Sequence, residues 1–176
     1  MSGNYYDIDD ILADSEKIPC RFNITVPGLG YLEGNPGRAI EKDTKIELPM
    51  WLAEILAICE IGEENKQSFI DLSDPEFINT KVLNAIKTSA VSIDLHKLVP
   101  HFYTLIEKWC TMFSDEKLVE IILEMLKQRS MEINNFANNA NKNINSEFLY
   151  TLDEFEKSLY KVTAESNKQM RNWFKS

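Results

Sequence analysis

The chain is poor in the residues that build metal, redox and phosphate sites, holding only 3 Cys, 2 His and 6 Gly among 176 residues. Cys20, Cys59 and Cys110 are odd in number, far apart and never set as CxxC, which excludes a disulfide framework or zinc site and predicts reduced, mostly buried thiols. His96 and His101 flank Pro100 and do not share the i, i+4 face of a helical metal pair. No serine sits in GxSxG and no cysteine in a nucleophile context, so no catalytic, metal-ligating or cofactor-binding residue is expected, and enzymatic activity is not expected either. The acidic group Asp7, Asp9, Asp10 and Asp14 lacks the glycine and distal glutamate of a calcium loop.

Two further absences bound the setting. No stretch approaches the roughly 20 uninterrupted apolar residues of a membrane span, and the N-terminus is acidic where a secretory signal is basic and then apolar. A cytosolic or nuclear chain with no membrane contact is expected. A basic surplus is missing too: the formal net charge is −9, the reverse of a free-standing nucleic-acid binder, which draws most of its affinity from neutralised phosphates. Direct DNA binding is therefore expected to be weak or absent.

What is present suffices for a core, with 44% hydrophobic and 27% charged residues. Tyr5, Ile8, Ile11 and Leu12 fall on one side of a short helix, with Asp7, Asp10 and Asp14 on the other, as in an amphipathic segment laid on a larger body. A half-buried strand is predicted over Cys20–Val26, where Phe22, Ile24 and Val26 alternate with Arg21, Asn23 and Thr25. Gly28, Gly30, Gly34, Pro36 and Gly37 then form a dense structural turn. Its GxGxxxG spacing, followed by Asn35 and Pro36 where a helix should open, argues against a phosphate loop. A second strand is predicted over Thr44–Leu48.

Beyond it the pattern turns helical. Pro49 suits a first helical position, and Trp51, Leu52, Ile55, Leu56 and Cys59 recur at helical spacing. Asp74 and Pro75 are placed to start a second helix. Pro100 is expected to split a third helical region into a short turn and a main helix carrying Phe102, Leu105, Ile106, Trp109, Met112 and Phe113. Ser114 is read as the cap of the next helix, whose buried face is predicted as Leu118, Ile121, Ile122, Met125, Ile133 and Phe136. The Asn-rich stretch 138–145 should be a surface loop. A last helix is predicted from Ser146 to Phe174, with Phe148, Leu152, Phe155, Leu159, Val162, Met170 and Trp173 along one stripe. Lys157, Lys161, Lys168 and Arg171 cluster on its other side, as a solvated face or as a contact for DNA or an acidic partner. The fold expected is α+β: a small β-rich domain over residues 1–48, then an α-helical bundle domain over 49–176.

Four ordered segments carry a resemblance: YYDIDDILAD at Tyr5–Asp14, PGLGYLEGNPG at Pro27–Gly37, ELPMWLAEILA at Glu47–Ala57 and NTKVLNAIKTSAVSIDLH at Asn79–His96. Together they resemble the third-subunit family of the eukaryotic GINS complex, in a fungal form, and depart from it mainly at Ile61–Asp71 and Asn134–Asn145. The resemblance implies a small domain preceding a helical one, a nuclear location, and a non-catalytic scaffold role in DNA replication. Its implied partners are the other three subunits, Sld-five, Psf-one and Psf-two, and through them the MCM ring and Cdc-forty-five of the replicative helicase. On that basis Tyr5, Ile8, Leu12, Phe148, Leu152, Phe155, Leu159 and Trp173 are the candidate partner interface. Gly28, Gly30, Gly34, Pro36, Gly37, Pro49, Trp51 and Leu52 are candidate interdomain or structural positions. A nucleic-acid-binding module using the Lys157, Lys161, Lys168, Arg171 face is the competing reading.

Overall fold

A computed structural model describes residues 6–61, 67–138 and 147–174. Two compact units emerge, Met1–Glu76 and Phe77–Ser176, and the α+β class holds, with strands confined to the first unit among the described residues. The boundary expected after residue 48 falls inside the first unit, because the helix that follows packs onto the strands of that unit.

The first unit opens with α1 (Ile8–Asp14), capped by the Asp7 carboxylate, which accepts from the Asp9 N–H. β1 (Lys17–Phe22) is the central strand of a three-stranded antiparallel sheet, between β2 (Lys45–Pro49) and the short β5 (Ile70–Leu72). β1 starts three residues before the predicted strand and ends at Phe22, so Ile18, Cys20 and Phe22 are the buried set and Pro19 lies within the strand. Pro19 is tolerated because the β5 ladder covers only Cys20–Phe22; beyond it Pro19 is used through its carbonyl, which accepts from the Ser73 N–H at 2.9 Å, and its missing N–H is not called on. Past Phe22 the chain curls back, with Val26 bridging Ile40.

In the glycine-rich turn, Gly30 has no room for a side chain: a Cβ there would run into the carbonyl oxygens of Asn35 and Arg38. Its own N–H donates to the Arg38 carbonyl at 3.0 Å and its carbonyl accepts from Asn35 N–H at 2.8 Å, so these backbone groups serve the turn itself. α2 (Met50–Ile58) follows β2 directly. Pro49 precedes its first turn instead of occupying it, in an extended conformation at φ −55°, ψ 144°. Met50 and Ala53 are the buried residues of α2. β3 (Glu60–Ile61) and β4 (Gln67–Ser68) pair antiparallel, and residues 62–66 of the departing 61–71 segment lie outside the described set.

The second unit is helical. A 3₁₀ turn at Glu76–Ile78 leads to α3 (Thr80–Thr88), capped by Asn79 where Asp74 was expected, since the extra turn displaces the helix start. A 3₁₀ turn at Ala90–Ser92 precedes α4 (Leu95–Leu98), and Pro100 separates α4 from α5 (Phe102–Phe113), as its missing N–H requires. α6 (Glu116–Asn138) is entered through Ser114, which is left-handed at φ 52°. The cap is Asp115, whose carboxylate accepts from Leu118 N–H at 3.1 Å. The predicted last helix is two: α7 (Glu147–Tyr150) and α8 (Glu154–Trp173), broken where Asp153 caps α8 by accepting from the Glu156 N–H at 2.8 Å. α6 and α8 make the most extensive helix pair, and Phe102, Leu105, Trp109, Met125, Ile133 and Leu152 lie in the core.

Candidate functional site

α8 meets α6 through a charged pair that apolar periodicity conceals. Arg129 stands on the buried face of α6 in register with Met125 and Ile133, each four residues away, and is fully buried. Its Nε and Nη2 donate to the two carboxylate oxygens of Glu156 on α8, at 2.7 and 2.8 Å, a bidentate geometry with both partners out of water. Nη1 donates to the Ala90 and Ile93 carbonyls at 3.0 Å each, and Nη2 to the Thr151 carbonyl at 3.3 Å. The guanidinium also lies 5.2 Å from the centre of the Phe148 ring, which stacks on Phe136.

Two more groups complete the cluster. Tyr103 donates its hydroxyl to Glu156 Oε1 at 2.8 Å. Burial first, and then the Glu156 carboxylate, raise its pKa, so the phenol keeps its proton. Asp153, also fully buried, is pushed up to about 7 by burial, against the pull of the N–H groups of Glu156 and Tyr103 that it accepts. Each of these side chains is held by protein partners, so the cluster is suited to orienting helices and not to chemistry. Of the expected α6 face, Leu118, Ile122, Met125 and Ile133 are buried and Ile121 and Phe136 only half-buried; an apolar-only pattern passes over Arg129. The 4-3-4-4-4 ladder of Leu118, Ile122, Met125, Arg129, Ile133 and Ala137 carries the signal.

The same cluster turns α8. Towards its own unit the helix presents Glu156, Tyr160, Thr163 and Asn167, at steps of four and three, and Asn167 Nδ2 is buried with no hydrogen-bond partner. The apolar stripe is therefore rotated outward along its distal half: Val162, Met170, Trp173 and Phe174 are exposed, Trp173 by 72%. Nearer the root, Phe155 is 40% exposed with its ring edge to Tyr103, Leu159 is half-buried, and Phe148 is taken up by Arg129 and Phe136. Leu152 is core at 1% exposure, which removes it from the candidate interface; it lies in the break between α7 and α8, where the helical spacing that would carry it outward does not apply.

The basic face is partly answered from its own helix. Lys157 donates to Glu154 at 2.7 Å, a bond that holds the Glu154 carboxyl below its usual range, and lies 3.3 Å from His96 Nδ1. Lys168 pairs with Glu165 at 3.8 Å, and Arg171 donates to the Asn138 carbonyl; Lys161 is exposed.

In the first unit Ile8, Ile11 and Leu12 are exposed, with only Ala13 of α1 buried; Tyr5 lies outside the described residues. On α2, Trp51, Ile55 and Ile58 form an exposed i, i+4, i+7 stripe. Trp51, a candidate interdomain or structural position, is 50% exposed and Leu52 half-buried, so neither has the full burial at which truncation costs about 3–5 kcal/mol. Of the glycine-turn positions, Gly28, Gly34 and Gly37 have positive φ, and Pro36 is exposed. Cys20 is buried and its thiol pushed up to about 11, but Cys59 is exposed, against the expectation of buried thiols, because the end of α2 faces water. Among the described residues no group of three or more His, Cys, Asp or Glu is placed to hold a metal ion, and no helix is long and apolar enough to cross a membrane.

Comparison with known proteins matches each unit separately. Residues 6–58 match the family described as PSF3 N-terminal domain, and residues 77–175 match the GINS complex protein helical bundle domain. The chain is 68% identical to DNA replication complex GINS protein PSF3 of Debaryomyces hansenii, over 99% of both chains. It is 59% identical to the protein of that name from Candida albicans, over 100% of this chain and 99% of the relative. Identity to the Saccharomyces cerevisiae protein is 45%, over 96% of this chain and 97% of the relative.

Proposed function

This chain belongs to the PSF3 family of GINS complex proteins, and from that premise we propose that it is a non-catalytic structural subunit of the heterotetrameric GINS complex. The family places it in DNA replication. Beyond that coarse role, the proposal is a nuclear scaffold that assembles with Sld-five, Psf-one and Psf-two and, through them, supports the MCM ring and Cdc-forty-five in the replicative helicase. The observation that carries it is the outward apolar stripe of α8, where Val162, Met170 and Trp173 lie in water on a helix whose root is tied down by Arg129. A rigid helix showing large apolar side chains at spacings of seven, eight and three residues from Phe155 is suited to completing a bundle with another chain.

The test is light scattering on the full chain, expressed alone and then with the other three subunits. A particle with one copy of each subunit is expected on co-expression, and the double change Val162→Ser with Trp173→Ser is expected to release this chain from it. A monomer that ignores the other three, or a double variant that assembles as well as the parent, sinks the reading. The competing nucleic-acid reading is weakened by the Lys157–Glu154 and Lys168–Glu165 pairs, which spend part of the positive face within α8 itself.

A further inference from the structure

The solvent face of the sheet in the first unit carries a hydroxyl that the assembly reading does not use. Five Ser or Thr residues stand three positions before a carboxylate: Thr44, Ser68, Ser73, Thr104 and Thr151. A kinase with a basic substrate cleft reads that spacing, because the cleft pairs with carboxylates just beyond the acceptor. The fold separates the five. Thr44, Ser68, Thr104 and Thr151 are half-buried; Ser68 Oγ is shared between Asn23 and Asp71, and Thr151 donates to the Phe148 carbonyl at 2.7 Å. Ser73 is exposed, and its hydroxyl makes no hydrogen bond among the described residues.

Its surroundings suit an acceptor. Asp74 follows directly and Glu76 completes the spacing, and both are exposed, so the hydroxyl and the two carboxylates are all at the surface. Ser73–Pro75 is neither helix nor strand, and β5, which it leaves, is an edge strand whose only strand neighbour among the described residues is β1. The receiving side is basic. The Ser73 N–H donates to the Pro19 carbonyl at 2.9 Å, which sets Ser73 across from Pro19 and continues the Cys20–Leu72 register by one residue. Lys17 and Arg21, two residues to either side of Pro19, share its face and are exposed. Cross-strand diagonals of this kind bring Cβ atoms to about 7–8 Å, within reach of long side chains. Arg21 already pairs with Asp71 at 2.9 Å, while Lys17 pairs with no acid among the described residues.

We propose that Ser73 is a phosphorylation site for an acidic-directed Ser/Thr kinase, and that Lys17 and Arg21 receive the phosphate across the β1–β5 edge. Asp74 and Glu76 address the basic cleft of the kinase. In the transfer the Oγ–phosphorus bond forms as the bond from the γ-phosphorus of ATP to its bridging oxygen breaks; ADP leaves, and the hydroxyl proton passes to the base of the kinase. The product places a charge of about −1.5 to −2 beside two cations where a neutral hydroxyl stood. Lys17 is the first to answer it, because Arg21 is engaged with Asp71 and has only its remaining N–H groups to offer. The site lies beyond the assembly reading and does not rest on it.

For the test, the full chain is co-expressed in yeast with the other three subunits and purified in whichever particle it enters, so failure of the assembly reading leaves this one standing. Tandem mass spectrometry is expected to find phosphate on Ser73 and to lose it in Ser73→Ala. When an acidic-directed kinase and Mg-ATP are added to phosphatase-treated protein, Asp74→Asn with Glu76→Gln should slow incorporation at Ser73 by about tenfold or more. Phosphorus NMR then follows the second ionisation of the phosphoserine, which is about 6 when free. Beside Lys17 and Arg21 it should lie lower by about half a pH unit or more, and Lys17→Met with Arg21→Met should return it. Lys17→Met alone leaves the Arg21–Asp71 pair in place and should give part of that return even where the double variant unfolds. Absence of phosphate from Ser73 in yeast, incorporation indifferent to both carboxylates, or an ionisation unmoved by the lysine and arginine changes overturns the proposal.

Discussion

The root and the tip of α8 are built on opposite terms. At the root Glu156 and Asp153 are fully buried, and every hydrogen-bonding arm of Arg129 is used, on Glu156 and on carbonyls from two other segments. At the tip Val162, Met170, Trp173 and Phe174 lie in water, and the nearest inward polar group, Asn167 Nδ2, is buried without a partner. Buried polar atoms that are fully satisfied fix one geometry, whereas apolar atoms left in water gain only when something covers them. The difference teaches that the direction of α8 is decided within the chain, and the completion of its surface is left to another.

Breaking the root should give the largest effect. Arg129→Met leaves the Glu156 carboxylate buried and unpaired, and is expected to lower stability by about 3–5 kcal/mol in urea unfolding followed by circular dichroism. Adding Glu156→Leu to that variant removes the stranded charge and should recover part of the loss, the remainder being the cost of Tyr103 and the Ala90, Ile93 and Thr151 carbonyls left without their partners; no recovery would mean that the buried charge is not the source of the cost.

Next comes the pH dependence of Asp153. Its folded pKa, about 7, lies above the ordinary 3.8, so the folded state holds the extra proton between those values. The resulting stabilisation is full below about pH 4 and is lost as pH rises through about 7, a swing of roughly 4 kcal/mol at about 1.4 kcal/mol per unit. Asp153→Asn keeps an N-cap acceptor and should flatten that slope in unfolding curves taken across the window; an unchanged slope assigns it to another group.

The tip should respond more mildly. Asn167→Leu, which removes the unpartnered amide, is expected to raise stability by about 1 kcal/mol in the same assay, and a loss of that size would show that the amide has a role at the seam. Trp51→Ala, at a half-exposed position of the first unit, should cost less than about 1 kcal/mol in unfolding; a loss of 3 kcal/mol or more would show that its ring is buried in solution.

The contrast also explains what could be read from residue order. Pro100 announced the α4–α5 break because its chemistry is local, and the Phe102, Leu105, Ile106, Trp109 stripe announced the core face of α5 because all four residues are both apolar and buried. The sheet edges were misplaced because Pro19 looks like a breaker unless the shortness of β5 is known. Periodicity ran one stripe through the break between α7 and α8 and could not tell exposure: the same spacing serves Leu152, a core side chain in the break, and Val162, exposed on α8. Arg129 and Glu156 were passed over because a charged residue in an apolar register reads as an interruption until its partner, 27 residues later, is brought beside it.

That partnership restricts how this chain's sequence can change. A lineage that loses either residue first must pass through a protein with a lone buried charge, at a cost comparable to much of a domain's stability, although the doubly apolar end state can be as stable as the start. The two codons are therefore free to drift together and held in place separately, so that a pair contributing little net stability can persist as an evolutionary ratchet.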